Sequence, residues 1–447
     1  MSTDRAPVES PFAGLRTGLG RAFDRGLAAV TGSALAPYQA AVVRIGISLT
    51  WLLFLLREWP HRRELYGDTS PWRWEMAQRL IADNDAFTVL MWSDGRLWFE
   101  IVYAGAMLAS LLLLLGWRTR TVSVLFMLGV LSLQNRSVFM GDGGDNVIHL
   151  MAIYLVLVRC GKVWSLDARR AARAAAARAD GAGSDDAGGP QAGPGSDRGG
   201  VVLWAVTGTA LAVGQLTGFA ALSAGWAAVL WGLWLVHGLW WVVARRAAGE
   251  PRAVLDVFTN LAHNSAMLVI AAEVCLIYAT AGWYKVQGSR WQDGTALHYP
   301  LNLEYFRPWP MLSDALGSSG LMVMVITYGT VIVQVAFPFT LLNRRVKNVL
   351  LAVMMIEHTA IAVICGLPFF SLAMIAADAV FLPTNFLRWL GDRASRLGRR
   401  LLPGRGRAAD PDLDPGSGKD RGEESGKTAP AVPAQNTSPD SERVASG

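Results

Sequence analysis

With 447 residues, 52% of them hydrophobic and only 17% charged, the chain falls well below the roughly 25% charge of soluble domains, which excludes that class and leaves a multi-spanning membrane protein. The net charge of +6 is an arginine excess in loops and tails, with no basic stripe interleaved with aromatics, so no nucleic-acid partner is expected. Cys160, Cys275 and Cys365 fall in apolar runs without a CxxC pair or metal-ligand spacing, so neither a disulfide framework nor a metal site is indicated.

The first 37 residues lack the basic region, apolar core and cleavage site of a signal peptide. Phe12, Leu15, Leu19, Phe23, Leu27 and Val30 recur at near-helical spacing, with Arg16, Arg21 and Arg25 between them. This arm is either an amphipathic helix on an anionic leaflet or a disordered basic segment. Apolar runs follow at residues 38–56, 97–115, 121–139, 146–163, 201–222, 226–244, 265–284, 321–342, 349–365 and 368–386. At about 20 residues per crossing, the expected fold is an all-α, polytopic transmembrane bundle of about ten spans. Eighteen tryptophans suit its interfacial belts.

Short loops rich in arginine and lysine stay cytoplasmic, and alternate loops here carry them: Arg118 and Arg120, residues 159–178, 245–252 and 344–347, and the tail from Arg388. Both termini are therefore expected in the cytoplasm of a multi-pass protein of the cell membrane, with residues 58–96, 141–145 and 285–320 facing outward. The chain divides into a basic amphipathic arm (1–37), the first part of the bundle (38–166), a linker (167–200), a two-span hairpin (201–250), the second part of the bundle (251–387) and a basic helix with a tail (388–447). The linker begins as an alanine and arginine helix and dissolves into glycine, proline and serine; like the tail, rich in the same residues and charge, it is too polar to bury a core and is expected to be disordered.

The stretch YATAGWYKVQGSRWQDGTALHY, from Tyr278 to Tyr299, is the one around which the rest is organised. Lys285 ends an apolar run. Partial desolvation there makes its amine a candidate base, and flanking Trp283, Tyr284 and Trp291 equally suit an interfacial anchor. Ionisable groups inside spans need a partner or a purpose. Arg44 and Glu273, at about 9 and 12 Å from the inner ends of their spans by the helical rise, are expected to pair. Glu357 and His358, with Asp378 in the next span, are expected to form a polar cluster, either a static network or a proton relay and cavity wall. In LQNRSVFMGDGGDNVIHL, Asp145 and His149 share a helical face, where the carboxylate would orient the imidazole; the GDGGD run alternatively is a tight turn whose acids cap the next helix. His237 reads as an interhelical hydrogen-bonder within an otherwise plain hairpin. Ser70 and Pro71 are expected to open a short helix bearing Trp72, Trp74, Met76 and Leu80, a lid or an interfacial anchor.

Taken together, Arg44, NRSVFMGDGGDNVIHLMAIYLVL, VWSLD, AGWYKVQGSRWQDGTALHY and EHTAIAVICGLPFFSLAMIAADAVFL resemble the horizontally transferred transmembrane (HTTM) domain. That family includes vitamin K-dependent γ-carboxylase and bacterial membrane proteins similar to the maturation factor of the sporulation-delaying peptide toxin. The resemblance covers residues 38–166 and 258–386 and is most specific around Lys285. It implies that Lys285 matches the lysine that deprotonates vitamin K hydroquinone, with Trp291 and Gly294 behind it, and that His358 matches a histidine in a late span. The expected catalytic residues are then Lys285 and His358. The expected substrate-binding ones are Trp291, Gly294, His298, Asp145 and His149, and the expected buried polar network is Arg44, Glu273, Glu357 and Asp378. A reduced naphthoquinone is the implied cofactor, and the bilayer and a small exported peptide are the implied partners. The region after residue 388 departs from the carboxylase's large lumenal portion, and the bacterial branch is nearer in size. Three functions stand open: quinol-coupled, carboxylase-like proton abstraction, a non-catalytic maturation or immunity factor for an exported peptide, and a transporter, for which no inverted repeat is visible.

Overall fold

A computed structural model describes residues 13–181, 198–246 and 250–401, which form α-helices joined by short turns, with no strand among the described residues. The first twelve residues of the arm, residues 182–197 of the expected disordered linker and the expected tail beyond residue 401 lie outside them. The chain divides at residue 393: the second unit is helical as far as residue 401, and the first holds every other described element.

Helix α1 (Ala13–Gly32) leaves Phe23 and Leu27 exposed, and α2 (Pro37–Glu58) starts at a proline, whose fixed φ suits a first turn. Along α2, Val43, Ile47, Trp51, Phe54 and Leu55 recur at helical spacing and are all buried. After the single turn α3 (Arg62–Leu65) comes α4 (Trp74–Asn84), which starts at Trp74 rather than at Ser70 and Pro71. Arg136 takes the Trp72 carbonyl at 2.9 Å and Arg73 is extended, so the expected first turn has no helical bonds to make. Next are α5 (Arg96–Leu115), α6 (Thr119–Arg136) and α7 (Gly143–Leu155). Gly116 closes α5 at φ 68, a left-handed position, and a Cβ there would meet Ser165 and stand 2.9 Å from the Arg44 guanidinium, so glycine is required twice over.

Helix α8 (Leu166–Gly181) follows, then the hairpin α9 (Arg198–Leu216) and α10 (Ala224–Arg246). In the hairpin, Trp204 and Trp234 stack with centroids 4.1 Å apart, and each indole N–H donates to the other residue's carbonyl, at 3.0 and 2.9 Å. Gly208 and Gly238 lie under the two rings, where any side chain would collide. Helix α11 (Glu250–Gln287) runs for 38 residues, about 57 Å at the helical rise. Three short helices, α12 (Ser289–Gln292), α13 (His298–Asn302) and α14 (Pro310–Gly317), connect it to α15 (Gly320–Ala336). The chain continues through α16 (Arg344–Ile364), α17 (Pro368–Asp378) and α18 (Thr384–Leu401).

Among the described residues, 7 helices are long and apolar enough to cross a membrane, or 8 if Pro368–Phe381 and Thr384–Gly398 together make one span. The count of about ten is not reached because α6 and α7 fall short. Helix α6 spends positions on Ser123, Ser132 and Arg136, and α7 has only 13 residues. Helix α6 packs on α5 and α7, and α7 on α6, α17, α11 and α2, and a helix covered by protein needs less apolar surface than one covered by lipid. The centre of the bundle is α2, α5, α6, α7 and α17, brought close where side chains are small: Gly46 packs on Ala376, and a Cβ on Gly129 would stand 2.9 Å from the Ala106 Cβ. Leu108, Leu235, Leu276, Val325 and Ile356 point outward from their helices and are exposed. Apolar exteriors over a core that holds Arg44, Ser48, Thr50 and Asp378 are consistent with an integral membrane protein.

Candidate functional site

Helix α11 carries Tyr278 and Lys285 seven residues apart, two turns and about 10 Å along one face. Opposite them stand Gln334 of α15, Glu357 and His358 of α16, and Asp378 of α17. The sequence brings α11 onto α15 through Gly282, where a Cβ would lie 2.6 Å from Val335 Cγ2. One turn on, that close approach lets Lys285 Nζ donate to Gln334 Oε1 at 2.8 Å, while Gln334 Nε2 donates to Glu357 Oε1 at 2.7 Å. The amide is thereby oriented, its carbonyl on the lysine nitrogen and its NH2 on the carboxylate. Nζ also sits 5.2 Å from the Trp291 ring centroid, a cation–π distance. The expected lipid anchors Trp283 and Tyr284 do face outward and are exposed, but Lys285 itself turns inward to its partners and is half-buried.

Trp291 is held over the amine by the turn that Gly294 makes possible at φ 77. A Cβ on Gly294 would stand 3.0 Å from Met324 Cγ and 3.2 Å from Tyr328. The turn is pinned to α15 where Tyr328 Oη donates to the Gln292 carbonyl at 2.8 Å and the Leu297 N–H to Thr327 Oγ1 at 3.3 Å.

A second polar set is centred on Tyr278, whose hydroxyl reaches both Asp378 oxygens, at 3.0 and 2.9 Å, and His358 Nε2 at 3.0 Å. All three side chains are buried. A phenol has one hydrogen, so when it donates to Asp378 the imidazole must carry its hydrogen on Nε2 and donate to the phenol oxygen. His358 Nδ1 is then a buried lone pair without a partner among the described residues. Glu357 and His358, adjacent on α16, thus serve different sets: the first looks to Lys285, the second to Tyr278.

Other expected groupings are not formed. Arg44 does not pair with Glu273; its guanidinium donates to the carbonyls of Leu113, Leu114 and Trp164, capping the end of α5, and the half-buried Glu273 makes no ion pair among the described residues. Free carbonyls at a helix end satisfy a buried guanidinium better than a single distant carboxylate. Asp145 does not orient His149. Its carboxylate accepts from the Asp142 N–H at 2.8 Å and the Asp142 side chain accepts from the Gly144 and Asp145 N–H groups, a reciprocal capping box that opens α7. His149 Nδ1 is instead 2.9 Å from Gln134 Oε1. His298 is exposed and bonds Asn302, away from Lys285. His237 approaches Thr121 Oγ1 at 3.4 Å.

Five residues were not singled out from the sequence. Tyr278 and Gln334 carry no charge, although a lone amide in GLMVMVITYGTVIVQVAF is itself a signal. Asn260, His263 and Asn264 on α11 form a strap: Asn260 and Asn264 donate to the carbonyls of Thr31, Val30 and Ser33, and His263 joins the Leu35 carbonyl, at 2.8 Å, to the Arg159 N–H, at 3.0 Å. Two cavities, of 570 and 450 Å³, lie against α9 and α10, and neither borders Lys285. No group of three or more His, Cys, Asp and Glu side chains is placed to hold a metal among the described residues. Comparison with protein families, with curated proteins and with solved structures finds no match to this chain.

Proposed function

We propose that this is a multi-pass cell-membrane protein of the HTTM type in which Lys285 accepts a proton from a lipid-soluble weak acid on the extracytoplasmic side. The observation that carries this reading is the fixing of Nζ by Gln334, with Glu357 one amide away and the Trp291 ring against it. An amine that only anchored a span end would reach for headgroups and would not be bonded to the Gln334 amide within the bundle. Because α11, α15 and α16 have outward faces that are largely uncovered, a ligand reaches the half-buried amine sideways from the bilayer and needs no enclosed cavity. Two of the basic segments expected in the cytoplasm, Arg118 with Arg120 and residues 159–178, meet at one cavity, which supports placing both on the same side of the membrane.

A reduced naphthoquinone fits this donor set: it supplies an acidic hydroxyl and reducing equivalents, and the amine and an aromatic ring are within reach of one another. The chain's own part is to hold Nζ in place, to stabilise its ammonium form with the Trp291 face and the Glu357 carboxylate, and to keep the second set, His358, Tyr278 and Asp378, in register on α11. Membranes given reduced naphthoquinone, oxygen and labelled bicarbonate should form epoxide or fix label, and Lys285→Ala should abolish both while His298→Ala leaves them intact. Absence of both products with the native chain removes the enzymatic reading. If Lys285→Ala then ends maturation of, or protection from, an exported peptide, the non-catalytic role takes its place.

A further inference from the structure

The hairpin α9–α10 appears in the sequence as plain lipid-facing structure, yet it walls both of the cavities described above. The first, 570 Å³, opens at the end of the bundle where the α5–α6 turn, the segment after α7 and the end of α10 meet, and it is lined by Arg118, Arg120, Arg159, Lys162 and Arg170. Asp167 is the one acid in the lining. Its oxygens are already taken by the N–H groups of Arg118 and Thr119, at 2.9 and 2.7 Å, by Thr119 Oγ1 at 3.0 Å and by Arg170 at 3.2 Å. Asp256 reaches the cluster from α11 but pairs with Arg159, at 3.6 Å. Arg120 lies 3.9 Å over the Trp240 ring, and neither it nor Lys162 has an ion-pair partner among the described residues.

The second cavity, 450 Å³, begins where the first ends: Arg120, Thr121, Arg159, Trp204, His237 and Trp240 line both. From there it runs between the hairpin and α6 along Leu125, Leu128, Leu211, Leu230 and Leu233 to Phe87 and Trp92 at the other end of the bundle. Both volumes fall in the range of about 300–1,000 Å³ typical of ligand sites. A cationic chamber in excess of its acids, continuous with a long leucine-lined groove, is complementary to one kind of molecule.

We propose that this pair of cavities binds a lipid with a net anionic phosphate headgroup, with the headgroup among Arg120, Arg159 and Lys162 and a hydrocarbon chain in the groove between α6 and the α9–α10 hairpin. The lipid fills the seam through which the hairpin meets the rest of the bundle and so fastens it there. This rests on the chain lying in a bilayer and is independent of what Lys285 does. The phosphate belongs either to an anionic glycerophospholipid or to a polyprenyl phosphate, and the comparison below separates them.

Native mass spectrometry of the full chain released from detergent, supplied in turn with dioleoylphosphatidylglycerol, dioleoylphosphatidylcholine, a polyprenyl phosphate and inorganic phosphate, tests it. At least tenfold greater retention of phosphatidylglycerol or of the polyprenyl phosphate than of phosphatidylcholine is expected, and whichever is retained longer identifies the source. Arg120→Gln combined with Lys162→Gln should bring the ratio to phosphatidylcholine near one. Lys162→Gln alone, at an exposed side chain whose loss leaves folding intact, should lower it severalfold. Thr207→Phe, which fills the groove without touching a cation, should reduce retention of every lipid. Retention of phosphatidylcholine by the native chain equal to that of both phosphatidylglycerol and the polyprenyl phosphate overturns the proposal, as does complete displacement of bound lipid by inorganic phosphate, which would leave only an anion site.

Discussion

Gly282 of α11 and Val335 of α15 are so close that a Cβ on the glycine would stand 2.6 Å from the valine Cγ2. This contact sets how near Lys285 comes to Gln334, because both polar residues lie within one turn of it. It also gives the run Ala281-Gly282-Trp283-Tyr284-Lys285 a physical meaning: the glycine is the spacing, and the lysine is what the spacing delivers.

Gly282→Val should therefore separate α11 from α15. Overpacking a tight helix contact costs about 1–3 kcal/mol. Reversible denaturation in mixed micelles should show that loss, while Gly329→Val, on the same α15 where nothing approaches the glycine, should show little.

Lys285 and Glu357 should be coupled through Gln334 although they share no direct bond. Lys285→Met alone leaves a half-buried carboxylate without its counter-charge and should cost up to about 3 kcal/mol, the low end for a buried pair. Lys285→Met together with Glu357→Leu should cost less than the two single changes summed, by about 0.5–3 kcal/mol. A double-mutant cycle on the same denaturation assay gives this number, and additivity would mean that the two charges ignore each other.

Tyr278→Phe removes the hydroxyl that joins His358 to Asp378 and leaves both buried side chains without that partner. The expected cost is about 1–3 kcal/mol, larger than for Tyr299→Phe at an exposed position. Unfolding of the two variants side by side measures the difference.

Asp68 lies just past the Pro37–Leu65 span, and the Arg63 guanidinium at the end of that span, bonded to it at 2.6 and 2.9 Å, holds its carboxyl below the ordinary value. A depressed folded-state pKa stabilises above the unfolded value, about 3.9, and that contribution fades as pH falls through the folded value. The pair is partly exposed, so the effect should stay below about 1 kcal/mol. Asp68→Asn should lower the melting temperature at pH 6 and leave it unchanged near pH 2.

Helix existence was legible without coordinates because apolar runs near the length of a bilayer crossing leave the backbone no other way to satisfy itself. Where helices met was not. Arg44 and Glu273 sit at matching depths along their spans, but depth says nothing about azimuth, and the guanidinium found the carbonyls that end α5. Asp145 and His149 share a helical face, but a helix start needs its N–H groups satisfied, and the capping box claimed the carboxylate first. Glu357, His358 and Asp378 were visible because charge inside a span is costly, whereas their bridging partners Gln334 and Tyr278 are neutral and drew no notice.

By itself the chain's order of residues determined an all-helical membrane protein, the position of Lys285 at the end of an apolar run and the acids that lie within spans, since these follow from hydropathy and spacing along one dimension. Only the tertiary structure decided which of them touch, that Lys285 turns inward, and that an unremarkable hairpin closes a basic chamber onto an apolar groove. Those facts depend on the rotation of one helix against another, which is set by where glycine and alanine let backbones approach.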